Sequence, residues 1–129
     1  VLGPKVLLIN MMAGSGGDYF PWIFRKLAIG PLIGTRTWGG LVASCAPYPM
    51  KDGGRVTSPC NAVFEPGVGW VAENEGVPAD IEVRVDARSV AAGRDPQLER
   101  AVKEALDAVA REATPEVEIP KYPRPARRK

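Results

Sequence analysis

The chain has 129 residues, 45% of them hydrophobic and 25% charged, with 17 basic and 15 acidic side chains and no histidine. That length suits one domain with a modest core. A formal net charge of +2 does not by itself imply a nucleic-acid groove or a membrane surface, and no run of ~18 apolar residues is present to span a bilayer.

The basic excess is local: "KYPRPARRK" at the C-terminal end holds five of the 17 basic residues and no acid. Cys45 and Cys60 form no CxxC pair and allow at most one internal disulfide. With no base in their sequence surroundings to activate either, they are expected as free thiols. "VLGPKVLLIN" lacks the charged, long-apolar pattern of a signal peptide. A start so close to a core strand leads us to expect a piece cut from a longer polypeptide.

"KVLLIN" (5–10) is a short apolar run of the kind that forms a buried central strand. "AGSGGD" then turns the chain, and a helix is predicted from about Gly17 to Ala28, with Pro21 in its first turn and Gly30–Pro31 as its stop. "PLIGTRTWGG" predicts a second short strand ending in a glycine-rich bend. "GLVASCAPYPM" continues as strand or loop, weakened by Pro47 and Pro49. Asp52-Gly53-Gly54 signals a hairpin. A strand is predicted near 69–73, then a turn around Gly76–Asp80 and an alternating segment, Ile81–Val85. The clearest helix follows, with Asp95 as N-cap, Pro96 at the first helical position and Leu98, Val102, Leu106 and Val109 at helical spacing. Glu99 and Lys103 are expected to pair across one turn. After Thr114 the pattern dissolves into a Pro-rich basic tail. The order β-α-β, hairpin, α indicates an α/β layered domain.

Ser15 lies at the centre of the strand-to-helix turn "AGSGG". A serine hydroxyl attacks poorly unless a base takes its proton, but this setting exposes it beside the free amides of Gly16 and Gly17, which suit an oxyanion. Three functional readings compete with a plain tight bend. A phosphate cradle needs a fuller glycine pattern, and Asp18 would repel the phosphate. An α/β-hydrolase elbow wants GxSxG and a later histidine, and this chain has Ala13 in the first place and no histidine. A serine peptidase whose base lies outside these residues is the third.

"NMMAGSGGDYFPWIFRKLAIGPLIGTRTWGG", "GWVAENEGVPADIEV" and "AAGRDPQLERAVKEAL" together resemble the tricorn proteases and their relatives, the C-terminal processing peptidases. The similarity runs in register over about residues 5–110. It implies a crotonase-like (ClpP-like) α/β fold of layered sheet and helices, of which this chain is the later half of the catalytic domain. Residues 1–112 would form that subdomain and 113–129 the extended tail. The resemblance implies Ser15 as nucleophile and the Gly16 backbone N–H as part of the oxyanion hole. Glu73 would help to orient a catalytic histidine through an intervening serine, both carried by an upstream part of the same polypeptide. The processing-peptidase branch uses a lysine where "TWGGL" has Gly40, so the histidine branch is favoured. Two departures stand out: "VPAD" places proline one position early, and the residue after the nucleophile is glycine rather than a larger one. The resemblance further implies peptide substrates, no metal or cofactor, homo-oligomeric assembly and a cytoplasmic location, with no nucleic-acid or membrane partner.

Other residues have plainer readings. Glu75 is the fallback for Glu73, since both face one side of an extended segment. Asp18 is expected to stabilise the helix N-terminus through its dipole. Trp22, Phe24 and Trp38 are expected to pack. Thr37, Gly39 and Gly40 could present an edge to an extended peptide substrate. The tail is expected as a solvated extension, or else an arm on a neighbouring subunit. The rival to a peptidase is a non-catalytic binding or assembly module of the same fold.

Overall fold

A computed structural model describes residues 2–45, 48–112 and 116–122. Strand β1 (Leu7–Ile9), helix α1 (Gly16–Lys26) and strand β2 (Leu32–Gly34) form a β-α-β unit, with β1 and β2 parallel and Leu8 opposite Ile33. Parallel strands require such a crossover. Two antiparallel hairpins follow, β3 (Ala43–Cys45) with β4 (Ser58–Asn61) and β5 (Phe64–Glu65) with β6 (Gly69–Trp70). The chain then returns as β7 (Ile81–Glu82), parallel to β2, giving the sheet order β1-β2-β7. Helices α2 (Ala87–Ala91) and α3 (Pro96–Arg111) complete the order.

The central strand is β2, whose three residues are all buried. "KVLLIN", read as central, lies at the edge of this sheet with Leu8 41% exposed. Apolar runs of this length report burial but not sheet order, because the neighbour is set by the crossover. The core gathers Ile9, Phe24, Leu32 and Val77, with Leu7, Trp22, Ala72 and Ala79 against it. Asp80, just before β7, ties α1 and β2 together. Its Oδ2 accepts the Leu32 N–H at 2.7 Å, its Oδ1 pairs with Arg25 at 2.7 Å, and its own N–H donates to the Leu32 carbonyl.

Several local expectations are corrected. Pro21 falls at the sixth residue of α1 rather than in its first turn, so the Gly17 carbonyl lacks the usual i+4 amide partner. Beyond its C-cap Leu27, α1 is closed by Ala28 at φ 49°, with Ile29 N–H donating to the Phe24 carbonyl at 3.1 Å, the 6→1 bond of a Schellman stop. Gly30 serves a different purpose, because a Cβ there would lie 1.9 Å from the Lys5 carbonyl oxygen. Cys45 and Cys60 are not free thiols: they form a disulfide across the β3–β4 hairpin, their Cα atoms 5.7 Å apart. The turn expected at Asp52–Gly54 closes this hairpin, with the Gly53 amide donating to the Met50 carbonyl at 2.9 Å. Pro47 lies outside the described residues.

Helix α3 starts as its sequence requires, with the Asp95 carboxylate accepting from the Gln97 and Leu98 amides at 3.0 Å. Its alanine side, and not the stripe at Leu98, Val102, Leu106 and Val109, lies on the sheet. Ala101 is buried and Ala105 and Ala108 half-buried against β1 and β2, while Leu98, Val102, Leu106 and Val109 remain 49–63% exposed. Small side chains let the helix approach closely, and Gln97 Nε2 reaches the Val83 carbonyl at 2.8 Å. Glu99 pairs with Arg94 rather than Lys103, and Lys103 pairs with Asp107. Helix α2 was not foreseen; Asp86 caps it by accepting from the Ser89 amide and hydroxyl at 2.9 and 2.7 Å. Of the tail, 116–122 are exposed and form no helix or strand, and 113–115 and 123–129 lie outside the described residues.

Replacing Asp95 by Ala is expected to lower unfolding free energy by about 1 kcal/mol, read from urea denaturation. Hydrogen bonds from Ser89, Arg94 and Lys103 hold the carboxyls of Asp86, Glu99 and Asp107 below their ordinary values. The unfolded chain then takes up protons first, so the stability these groups supply exists above the ordinary carboxylate range and is lost as pH falls through it. The urea midpoint is expected to drop between about pH 7 and about pH 3, and added salt should shrink the difference.

Candidate active site

The turn after β1 is built from backbone contacts. Asn10 closes it, its side chain accepting the Met12 amide at 2.9 Å and its carbonyl the Ala13 amide at 3.0 Å. Ser15 follows at φ 54° and ψ −112° and caps α1 without a side-chain cap bond. A non-glycine residue rarely adopts this conformation, which costs on the order of 1–3 kcal/mol and persists only where its surroundings enforce it. The enforcing contacts come from residues 37–40: Gly40 accepts the Ser15 N–H at 2.9 Å, and the Trp38 N–H donates to the Ala13 carbonyl at 2.8 Å.

The exposed Ser15 hydroxyl therefore stands at the N-terminus of α1. Among the described residues, no acceptor pairs with the Gly16 N–H. A free amide at a helix N-terminus beside an exposed serine is a donor positioned for developing negative charge.

Glu73 reaches the same place from the loop after β6. It is flanked by Ala72 at φ 57° and Asn74 at φ 62°, two left-handed residues that turn the chain sharply. Glu73 Oε2 accepts the amides of Leu41 and Val42 at 2.8 and 2.7 Å. Oε1 has no partner among the described residues. One oxygen is thus anchored and the other remains available to orient a further group. Ser15 and Glu73 line one open cavity of about 490 Å³, with Trp38, Gly39, Gly40, Val42, Ala43, Ser44 and Asn74. Glu75 lies outside this lining. A larger cavity of about 710 Å³, walled by Met11, Met12, Arg36 and Arg84, holds neither Ser15 nor Glu73.

The remaining candidates divide. Phe24 packs in the core as expected, and Trp22 packs against it and stacks on Tyr19 with centroids 5.7 Å apart. Trp38, expected to pack, is 70% exposed and walls the cavity. Its ring lies over Gly14 and Gly40, and a Cβ on Gly40 would meet it at 2.4 Å. Thr37 is buried, its Oγ1 accepting the Val77 amide at 2.7 Å. The Gly39 and Gly40 amides donate to Asp18 at 2.8 and 3.0 Å, and their carbonyls accept from Asn74 and Ser15. At Gly39 and Gly40, two of the three residues foreseen as an edge for an extended peptide, the backbone amides and carbonyls are thus paired within the chain. Asp18, read as a helix-dipole residue, is fully buried and binds this loop instead. Sequence separation concealed that contact; an acid followed by adjacent glycines 21 positions later is no recognisable pattern. Among the described residues no three His, Cys, Asp or Glu side chains gather as metal ligands, and no helix is long and apolar enough to cross a membrane.

The sequence model of peptidase family S41 matches residues 1–83, and the chain belongs to that family. Its mixed helix-and-strand fold matches the crystal structure of the tricorn protease with a TM-score of 0.77 and 37% identity, over 81% of this chain and 10% of that one. Among curated relatives, Tricorn protease homolog 1 of Streptomyces coelicolor is 42% identical over 121 residues, 94% of this chain and 11% of its own. The tricorn protease of Thermoplasma acidophilum is 39% identical over 102 residues, 79% of this chain and 10% of its own. The chain spans about a tenth of the length of these relatives.

Glu73→Ala is expected to strand two backbone amides and cost about 1–3 kcal/mol of stability, whereas Glu73→Gln keeps an acceptor and should cost under about 1 kcal/mol. Urea denaturation of the two variants side by side checks this.

Proposed function

We propose that this chain carries the nucleophile of a tricorn-like serine peptidase. The observation that carries the reading is Ser15 itself: an exposed hydroxyl on a strained strand-to-helix turn, with Glu73 in the same cavity and beside it a Gly16 amide that has no acceptor among the described residues. In this reading Ser15 Oγ attacks the scissile carbonyl carbon while a base takes its proton. The oxygen gathers negative charge against the Gly16 N–H, and collapse of the tetrahedral species expels the amine, which accepts the proton back. Water then releases the acyl group by the same route.

The base is a histidine supplied by an upstream segment of the same polypeptide, since this chain has none. The free Oε1 of Glu73 suits the task of orienting it through an intervening hydroxyl. Gly40 supports a histidine over a lysine base, since Trp38 covers the position from which a lysine would reach. Residues 1–112 then form the later part of a crotonase-like catalytic domain, and 113–129 a basic tail. The whole protein would cleave short peptides as a cytoplasmic homo-oligomer without a metal.

The test is labelling by a fluorophosphonate probe in the native polypeptide. Ser15→Ala should abolish both labelling and peptide hydrolysis. The isolated 129-residue chain should turn over peptides at least about 10²–10⁴-fold more slowly, because it lacks the general base. Undiminished labelling in Ser15→Ala, or Ser15-dependent turnover by the isolated chain, would overturn this assignment. A native polypeptide that neither labels nor hydrolyses peptides would favour the non-catalytic binding module.

A further inference from the structure

Asp18 is a buried carboxylate that the proposed chemistry does not use. Its relative exposure is 0%, and a buried charge persists only when strongly hydrogen-bonded or paired. Among the described residues no cation pairs with it; its carboxylate oxygens accept only the amides of Gly39 and Gly40, at 2.8 and 3.0 Å. An acid serving only the helix dipole would stay near solvent or accept from the amides of its own first turn. Asp18 instead takes both donors from a loop distant in sequence.

Those contacts close a ring through the nucleophile. Asp18 N–H donates to the Ser15 carbonyl at 2.9 Å, Ser15 N–H donates to the Gly40 carbonyl at 2.9 Å, and Gly40 N–H donates to Asp18 Oδ2 at 3.0 Å. Both backbone groups of Ser15 are thereby fixed on either side of its strained φ and ψ. The ring also occupies the Ser15 N–H, and beside the hydroxyl the Gly16 N–H has no acceptor among the described residues. Glycine is required at the far side. Gly39 sits at φ +86°, and a Cβ there would lie 2.6 Å from the Gly76 nitrogen. We propose that Asp18 is the positioning residue of the nucleophile, holding Ser15 in its attacking conformation by clamping residues 39–40 against the turn. This rests on Ser15 being the nucleophile.

The experiment compares two variants in the native polypeptide. Asp18→Asn sets an amide NH₂ against one of the two glycine N–H groups and so breaks one arm of the clamp on residues 39–40 without removing volume. Its kcat is expected to fall about 10- to 100-fold, with KM within about twofold and the rate of fluorophosphonate labelling at Ser15 falling by the same factor as kcat. Asp95→Ala, which removes the α3 cap and touches no member of the ring, should leave kcat within about twofold of the parent. Equal losses in the two variants, or a change in KM alone, would overturn the positioning role. Hydrogen–deuterium exchange on the unmodified protein gives an answer even if Asp18→Asn does not fold. The amides of Ser15, Gly39 and Gly40 should exchange at least about 100-fold more slowly than that of Gly16; similar rates at all four would refute the ring. If the parent never labels at Ser15, the nucleophile reading fails, while slow exchange would still establish the ring.

Discussion

The geometry around Ser15 depends on a close backbone approach. Residues 37–40 run between the turn after β1 and the loop that carries Glu73, and glycines at 39 and 76 let the backbones meet closely. A Cβ at Gly76 would stand 2.2 Å from the Thr37 carbonyl oxygen, and one at Gly39 would strike the backbone of Glu75 and Gly76. Three segments distant in sequence are thus joined amide to carbonyl, as a sheet is, although none of the joining residues belongs to a strand. Backbone groups buried in this way must be paired. The Asp18 carboxylate, Thr37 Oγ1 and Glu73 Oε2 supply acceptors where no carbonyl is placed to do so.

The same economy explains why the site is rigid on one side and open on the other. Behind Ser15, each polar group of the turn named above has a partner within the chain. In front of it, the hydroxyl, the Gly16 amide and one oxygen of Glu73 have none among the described residues. Trp38 walls this open side with an exposed indole rather than a buried one. A group held firmly from behind and unpaired in front is the arrangement that chemistry at a serine needs, since reorganisation during reaction is what preorganised donors avoid.

The surface has a parallel division. Helix α3 lays its alanines on the sheet and turns its larger aliphatics outward, and Leu8 of the edge strand β1 is also partly uncovered. Four large apolar side chains, Leu98, Val102, Leu106 and Val109, thus share one exposed helix face. The core beneath is small, with eight buried apolar residues among those described, as expected when so short a chain is divided among three small sheets.

Much of this was written locally. The β-α-β order, the Asp95 cap with Pro96 behind it, the hairpin at Asp52–Gly54 and the serine turn each rest on neighbouring residues whose conformational preferences agree, so the sequence alone determined them. Family resemblance located Ser15 and Glu73, and the fold brings both to one cavity. What sequence could not decide was which way each surface would face and what would meet it. Helical spacing identified the α3 stripe but not that alanines would occupy the sheet side, because close approach rewards small residues over large ones. The partners of Asp18 lie 21 and 22 residues away, and the Cys45–Cys60 bond joins residues 15 apart that only the folded hairpin brings together. Orientation, sheet order and the ring behind Ser15 arise only when distant segments pack, since no local preference encodes a contact whose two halves meet through the rest of the fold.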